Sequence, residues 1–172
     1  MNTKVLVFLS LLVGMGAVLH TVMPPIYLGM KPDLMLVMMF LGIMLFPEKK
    51  YVLLVAIVAG VISALTTNFP GGQIANPVDK LVSAFVFYGI FMAARKHTQS
   101  LVMVCTVTAV GILVSGTVFL TTALFIAGLP GTFIGLFISV VIPATVMGTI
   151  AMAIIHPVAQ QIIKRTNFTV SA

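Results

Sequence analysis

The chain has 172 residues, of which 60% are hydrophobic and only 7% charged, and its formal net charge is +6. With a mean hydropathy of +1.23 and apolar stretches along its whole length, it is excluded from the soluble domains and reads as a polytopic membrane protein. A basic balance in such a protein records cytoplasmic loops rather than a polyanionic partner, so nucleic acid is not expected.

At roughly 20 residues per crossing, the length allows one transmembrane domain over 1–172 with about six helices and no separate soluble domain. Lys4 and the apolar run to Leu19 have the outline of a secretory signal. Further spans follow directly, so this run reads as the first helix, Val5 to Met23, stopped by Pro24 and Pro25. The second covers Asp33 to Phe46 and stops at "PEKK"; the third covers Tyr51 to Thr67. After a break rich in Gly and Pro, the fourth covers Pro77 to Ala94, and the fifth Leu101 to Ala127, ending at "GLPG". The sixth, Phe133 to Ile163, contains Pro143 and Pro157, which predicts a kink. The lone Cys105 falls in an apolar helix and permits no disulfide framework.

Orientation follows from Lys and Arg. With the N-terminus inside, Lys4, Lys49, Lys50, Arg95, Lys96, Lys164 and Arg165 collect on the cytoplasmic side, against Lys31 and Lys80 outside, and both termini are cytoplasmic. Each outer Lys has an acidic neighbour, in "KPD" at 31–33 and "DK" at 79–80. One reading is helix capping: Asp33 and Asp79 begin helices running back inward, with Pro32 and Pro77 in first-turn positions. The other is a polar pocket at the outer end of the bundle, because irregular backbone persists at membrane depth only where protein buries it or it lines a cavity. The two readings are compatible.

Such a pocket offers the ammonium groups of Lys31 and Lys80, the carboxylates of Asp33 and Asp79, the amides of Asn68, Gln73 and Asn76, and the rings of Tyr27 and Phe69. Lysine takes a ligand carboxylate and aspartate a ligand ammonium, which suits a zwitterion. The Met-rich "LMLVMMF" at 34–40 either packs the bundle or helps accept a large apolar or aromatic side chain. On the first helix, Ser10, Gly14 and Ala17 put small residues on one face, for packing within the bundle or for docking against another membrane subunit.

No GxxxxGK[ST] loop is present. No carboxylate relay is read within the helix interiors. His20, His97 and His156 are scattered rather than clustered for metal, and no GxSxG supports nucleophilic catalysis. No enzymatic activity, metal or cofactor is expected, and transport would draw its energy from a partner.

The stretches "GAVLH" (16–20), "GMKPDLMLVMMFLGIMLFP" (29–47), "GVISALTTNFPGGQIANPVDK" (60–80), "SGTVFL" (115–120) and "GLPG" (128–131) resemble the bacterial tryptophan transporter family TrpP over nearly the whole chain. The resemblance implies an all-α integral membrane protein of the bacterial cell membrane, a six-transmembrane-helix bundle like the substrate-binding S components of energy-coupling factor (ECF) transporters. In these ABC importers the S component binds substrate from outside and associates with a transmembrane T protein and two cytoplasmic ATPases. It further implies tryptophan as substrate, with its carboxylate on Lys31 or Lys80, its ammonium on Asp33 or Asp79, its indole N–H on Asn68, Gln73 or Asn76, and its ring on Phe69 and methionines. S components use an AxxxA-like face on the first helix to contact the T protein; here Ser10 and Gly14 occupy that spacing without being alanines. An S component for a vitamin, a self-sufficient secondary carrier and a non-transport assembly subunit are the alternatives.

Overall fold

The computed structural model describes residues 1–24, 28, 30–95 and 100–165. Its elements are α1 (Thr3–Val22), α2 (Leu34–Leu45), α3 (Lys49–Thr66), α4 (Gly72–Ala94), α5 (Leu101–Ala127), α6 (Phe133–Leu136), a π-helical turn (Phe137–Val141) and α7 (Ile142–Arg165). Taken together, α6, the π turn and α7 form one span, so six helical segments are present among the described residues. Five of them are long and apolar enough to cross a membrane, and α2 is the shorter sixth.

Asn2 caps α1 by accepting from the Lys4 N–H, and its own N–H donates to the Tyr51 hydroxyl at 2.8 Å. That bond sets the starts of α1 and α3 side by side. α2 has 12 residues, all buried except Leu34, and it packs against α1, α3, α4, α5 and α7. A helix that is apolar all round is one that is buried all round. Met35, Met38 and Met39 accordingly serve the protein core. At about 1.5 Å per residue α2 is roughly 18 Å long, against about 30 Å of hydrocarbon. A helix this short begins or ends below the membrane surface, so the chain entering or leaving it lies inside the bundle.

Two predicted boundaries are corrected. α4 begins at Gly72, five residues before Pro77, so Pro77 stands inside the helix and Asp79 caps nothing. The start is set by Gly71, whose φ of 74° turns the chain through the left-handed region; a Cβ there would stand 2.7 Å from the Ala127 Cβ. Pro77 removes one amide donor and so frees the carbonyl of Gln73, an exposed residue that water or lipid headgroups can satisfy. Pro32 lies before the Asp33 cap of α2 rather than in its first turn.

In the last span, where a kink is predicted, a π turn precedes Pro143, and the Ile142 N–H donates to the Phe137 carbonyl. Proline lacks the N–H that an unbroken α-helical ladder needs, and the wider turn accommodates that gap. The helix continues through Pro157.

The larger apolar core joins residues such as Leu9, Phe40, Val52, Phe87, Val107 and Met152. Phe40 and Phe87 stack at 3.9 Å with planes 2° apart. They lie against Gly111 of α5, where an added Cβ would come within 2.7 Å of the Phe87 ring and 2.8 Å of the Phe40 ring. A smaller core, including Phe69, Ala75, Leu120, Leu136 and Val141, lies toward the other end. Along α4 and α5 the polar residues Asp79, Lys80, Ser83 and Ser115 fall between the two clusters. Lys4, Lys49, Lys50, Arg95, Lys164 and Arg165 mark the helix ends beyond the larger core. Lys80, expected at the outer end of the fourth helix, is instead buried within α4.

Candidate functional site

Asp79 and Lys80 are adjacent on α4, and each is only 1% exposed. Unpaired charges at such depth are prohibitively costly, so their partners decide whether the arrangement can exist. Lys80 Nζ lies 2.5 Å from Asp33 Oδ2 and 2.6 Å from Asp79 Oδ2, and so ties α4 to the start of α2. The Ser83 hydroxyl donates to Asp79 Oδ1 at 2.7 Å, and the Ser115 hydroxyl of α5 donates to Asp79 Oδ2 at 2.9 Å. Asp33 also accepts from the Leu36 N–H at 3.0 Å, so it both caps α2 and pairs with Lys80. Nearby, His20 Nδ1 of α1 stands 3.4 Å from Asp33 Oδ1. No carboxylate relay was expected within the helices; the carboxylate of Asp79 nevertheless lies inside α4, bonded to Lys80 and Ser83 of the same helix and to Ser115 of α5.

This network forms one wall of a cavity of about 750 Å³, open mouth included. Its lining comes from the C-terminal ends of α1 and α3, the N-terminal ends of α2 and α4, the later half of α5, and the π turn with the start of α7. In an up-and-down bundle these all belong to one end, opposite the exposed cations. The polar wall is His20, Lys31, Asp33, Asn76, Asp79, Lys80 and Ser115; Met30, Phe69, Ile112, Phe119, Val140 and Val141 supply the apolar one. Phe69 and Phe119 meet at 5.4 Å between ring centroids. One small molecule can therefore meet fixed charge on one side and aromatic surface on the other.

Of the residues singled out from sequence, Lys31, Asp33, Phe69, Asn76, Asp79 and Lys80 are brought together around this cavity. Asn68 and Gln73 are exposed and do not line it. Tyr27 lies outside the described residues. Asn76 donates from Nδ2 to the Gly72 carbonyl at 2.8 Å, and Lys31 makes no ion pair among the described residues. Sequence reasoning missed His20, Ser115 and Phe119. The last two lie in the "SGTVFL" stretch, where their i, i+4 spacing gives them a common face. On α1, Ser10 and Gly14 are exposed while Ala17 is partly buried, and a Cβ at Gly14 would meet nothing within 4 Å. Among the described residues no group of three metal-ligating side chains occurs.

The family described as "Tryptophan transporter TrpP" matches residues 2–164. A "Probable tryptophan transport protein" of Bacillus subtilis (strain 168) is 51% identical over 172 residues, spanning 100% of this chain and 99% of the relative. Proteins of the same description from Clostridium acetobutylicum and Clostridium perfringens are 43% and 33% identical, spanning 90% and 96% of this chain and 91% and 96% of the respective relatives. No solved structure shows a significant match.

Proposed function

We propose that this chain, which belongs to the TrpP tryptophan transporter family, binds free tryptophan in the cavity between α2, α4 and α5 and is the S component of an ECF-type importer. It is a multi-pass integral protein of the bacterial cell membrane. The observation that carries the binding reading is the Asp33–Lys80–Asp79 network opening onto an aromatic-walled cavity. Lys80 and Lys31 balance the two carboxylates, so a zwitterion enters without adding net charge. Lys80 is already engaged by two carboxylates, which leaves Lys31 for the ligand carboxylate and the outer lone pairs of Asp33 and Asp79 for its ammonium. The indole then packs on Phe69 and Phe119. Burying an aromatic side chain contributes about 1.5–3 kcal/mol, and charge-assisted bonds about 1.5–3 kcal/mol each, which together reach the roughly 8 kcal/mol of micromolar affinity.

The positive-inside rule puts the end carrying Lys4, Lys49, Lys50, Arg95, Lys164 and Arg165 in the cytoplasm. Both termini are then cytoplasmic and the cavity opens outward. The half of the bundle beyond the network is filled by the larger core, and the chain has no nucleotide-binding loop. Both features support a binder that relies on a T protein and two cytoplasmic ATPases for inward release, with the exposed Ser10 and Gly14 face of α1 as a contact surface. A second reading, a self-sufficient ion-coupled carrier, is favoured by one observation, the carboxylate of Asp79 inside α4.

Uptake of labelled tryptophan into proteoliposomes separates the two. The S-component reading expects ATP-dependent uptake only when the T protein and ATPases are co-reconstituted. Gradient-driven uptake by the chain alone would overturn it in favour of the carrier.

A further inference from the structure

His20 lies in the last turn of α1, is 4% exposed, and lines the cavity. Neither ring nitrogen has a hydrogen-bond partner, although Nδ1 stands 3.4 Å from Asp33 Oδ1. A buried polar atom left open in this way destabilises the empty site, and a ligand that satisfies it gains affinity. The chemistry of the missing partner follows from Asp33. A carboxylate only accepts, so the ring nitrogen that faces it is the one that carries the proton, and in that tautomer Nε2 is an acceptor. The open nitrogen therefore requires a donor.

We infer that His20 Nε2 accepts the N–H of the indole, making His20 a specificity-determining residue of the cavity. The inference rests on the tryptophan reading above. Of the substrate's polar groups, the ammonium is bound more strongly by the carboxylates of Asp33 and Asp79, through charge-assisted bonds. Its carboxylate has no proton to offer Nε2 and has Lys31 on the same wall. The indole N–H is a donor and nothing else, so it matches the vacancy. Asn68 and Gln73, the acceptors expected from sequence, are exposed and away from the cavity. Asn76 Oδ1 is the competing acceptor, its Nδ2 being taken up by the Gly72 carbonyl. A site of this kind rejects phenylalanine because that ligand would leave Nε2 buried and unpaired.

The test is competition against labelled tryptophan on the purified full chain, using unlabelled tryptophan and 3-benzothienylalanine, in which sulfur replaces the indole N–H. The unaltered protein is expected to bind the sulfur analogue about 5- to 150-fold more weakly, the affinity equivalent of stranding one buried acceptor. In His20→Leu the two ligands should bind within roughly twofold of each other, both more weakly than tryptophan binds the unaltered protein. His20→Gln, which keeps an acceptor oxygen beside an amide donor for Asp33, should retain part of the preference. Equal binding of the two ligands by the unaltered protein overturns the role of His20 alone, as does a preference that survives in His20→Leu and disappears in Asn76→Leu. No tryptophan binding by the unaltered protein overturns the reading of the site and the role of His20 together. The ligand swap on the unaltered chain and the Gln variant keep the test decisive if His20→Leu does not fold.

Discussion

Replacing Lys80 by methionine removes the cation held between Asp33 and Asp79 while keeping much of its volume. Each carboxylate touches the same nitrogen, at 2.5 and 2.6 Å. The two therefore lie no more than about 5 Å apart, where like charges repel by about 3 kcal/mol at an effective dielectric of about 20. Asp79 keeps the Ser83 and Ser115 hydroxyls, and Asp33 keeps the Leu36 N–H. Neither set of neutral donors replaces the lost countercharge. Removing one partner of a buried ion pair costs about 3–5 kcal/mol, and Lys80→Met should lose stability on that scale. Adding Asp33→Asn and Asp79→Asn removes both stranded charges, and asparagine still caps α2. The triple variant should regain most of the stability, since neutral replacement of a buried ionic cluster is often close to neutral, yet it should not bind ligand. Stability is read by titrating SDS into mild-detergent micelles and following helical circular dichroism. A Lys80→Met midpoint equal to that of the unaltered protein, or a triple variant no more stable than the single one, would refute this account of the network.

Lys31 lines the cavity outside that network, so Lys31→Ala should weaken tryptophan binding by about tenfold or more, one charge-assisted bond, with an unchanged thermal midpoint in detergent. Asn68→Ala and Gln73→Ala, at exposed positions, should each leave the affinity within roughly twofold in the same equilibrium assay. Gly111→Ala places a methyl group against the stacked Phe40 and Phe87 rings; overpacking of this kind costs about 1–3 kcal/mol, and the SDS titration should show a loss of that size without direct contact with ligand.

Membership of the lipid-soluble class and the six helical segments were legible because apolar runs and their Pro, Gly and charged stops are local signals. The start of α4 was not. Gly71, Gly72 and Pro77 read as a continuous break, yet only Gly71 adopts a left-handed turn, and the helix runs through the proline. That one boundary changed the meaning of Asp79 and Lys80, from residues at the mouth of a loop to a buried pair in the bundle. The pairing of Lys80 with Asp33 spans 47 positions and depends on how α2 sits against α4, which no local pattern encodes. His20 looked scattered because its relation to Asp33 exists only once the end of α1 and the start of α2 come together. Ser115 and Phe119 were hidden inside a long apolar helix, where one hydroxyl and one ring carry little signal until Asp79 and Phe69 are placed opposite them.

The central claim is that the cavity holds tryptophan, and the chain contains no tryptophan of its own. Purified in detergent and excited beyond the tyrosine absorption edge, the protein is dark unless an indole is bound. The account predicts indole emission that stays with the protein through gel filtration, is released into the small-molecule fraction on denaturation, and returns saturably when tryptophan is added back. A folded protein that remains dark after tryptophan addition and repurification would contradict it.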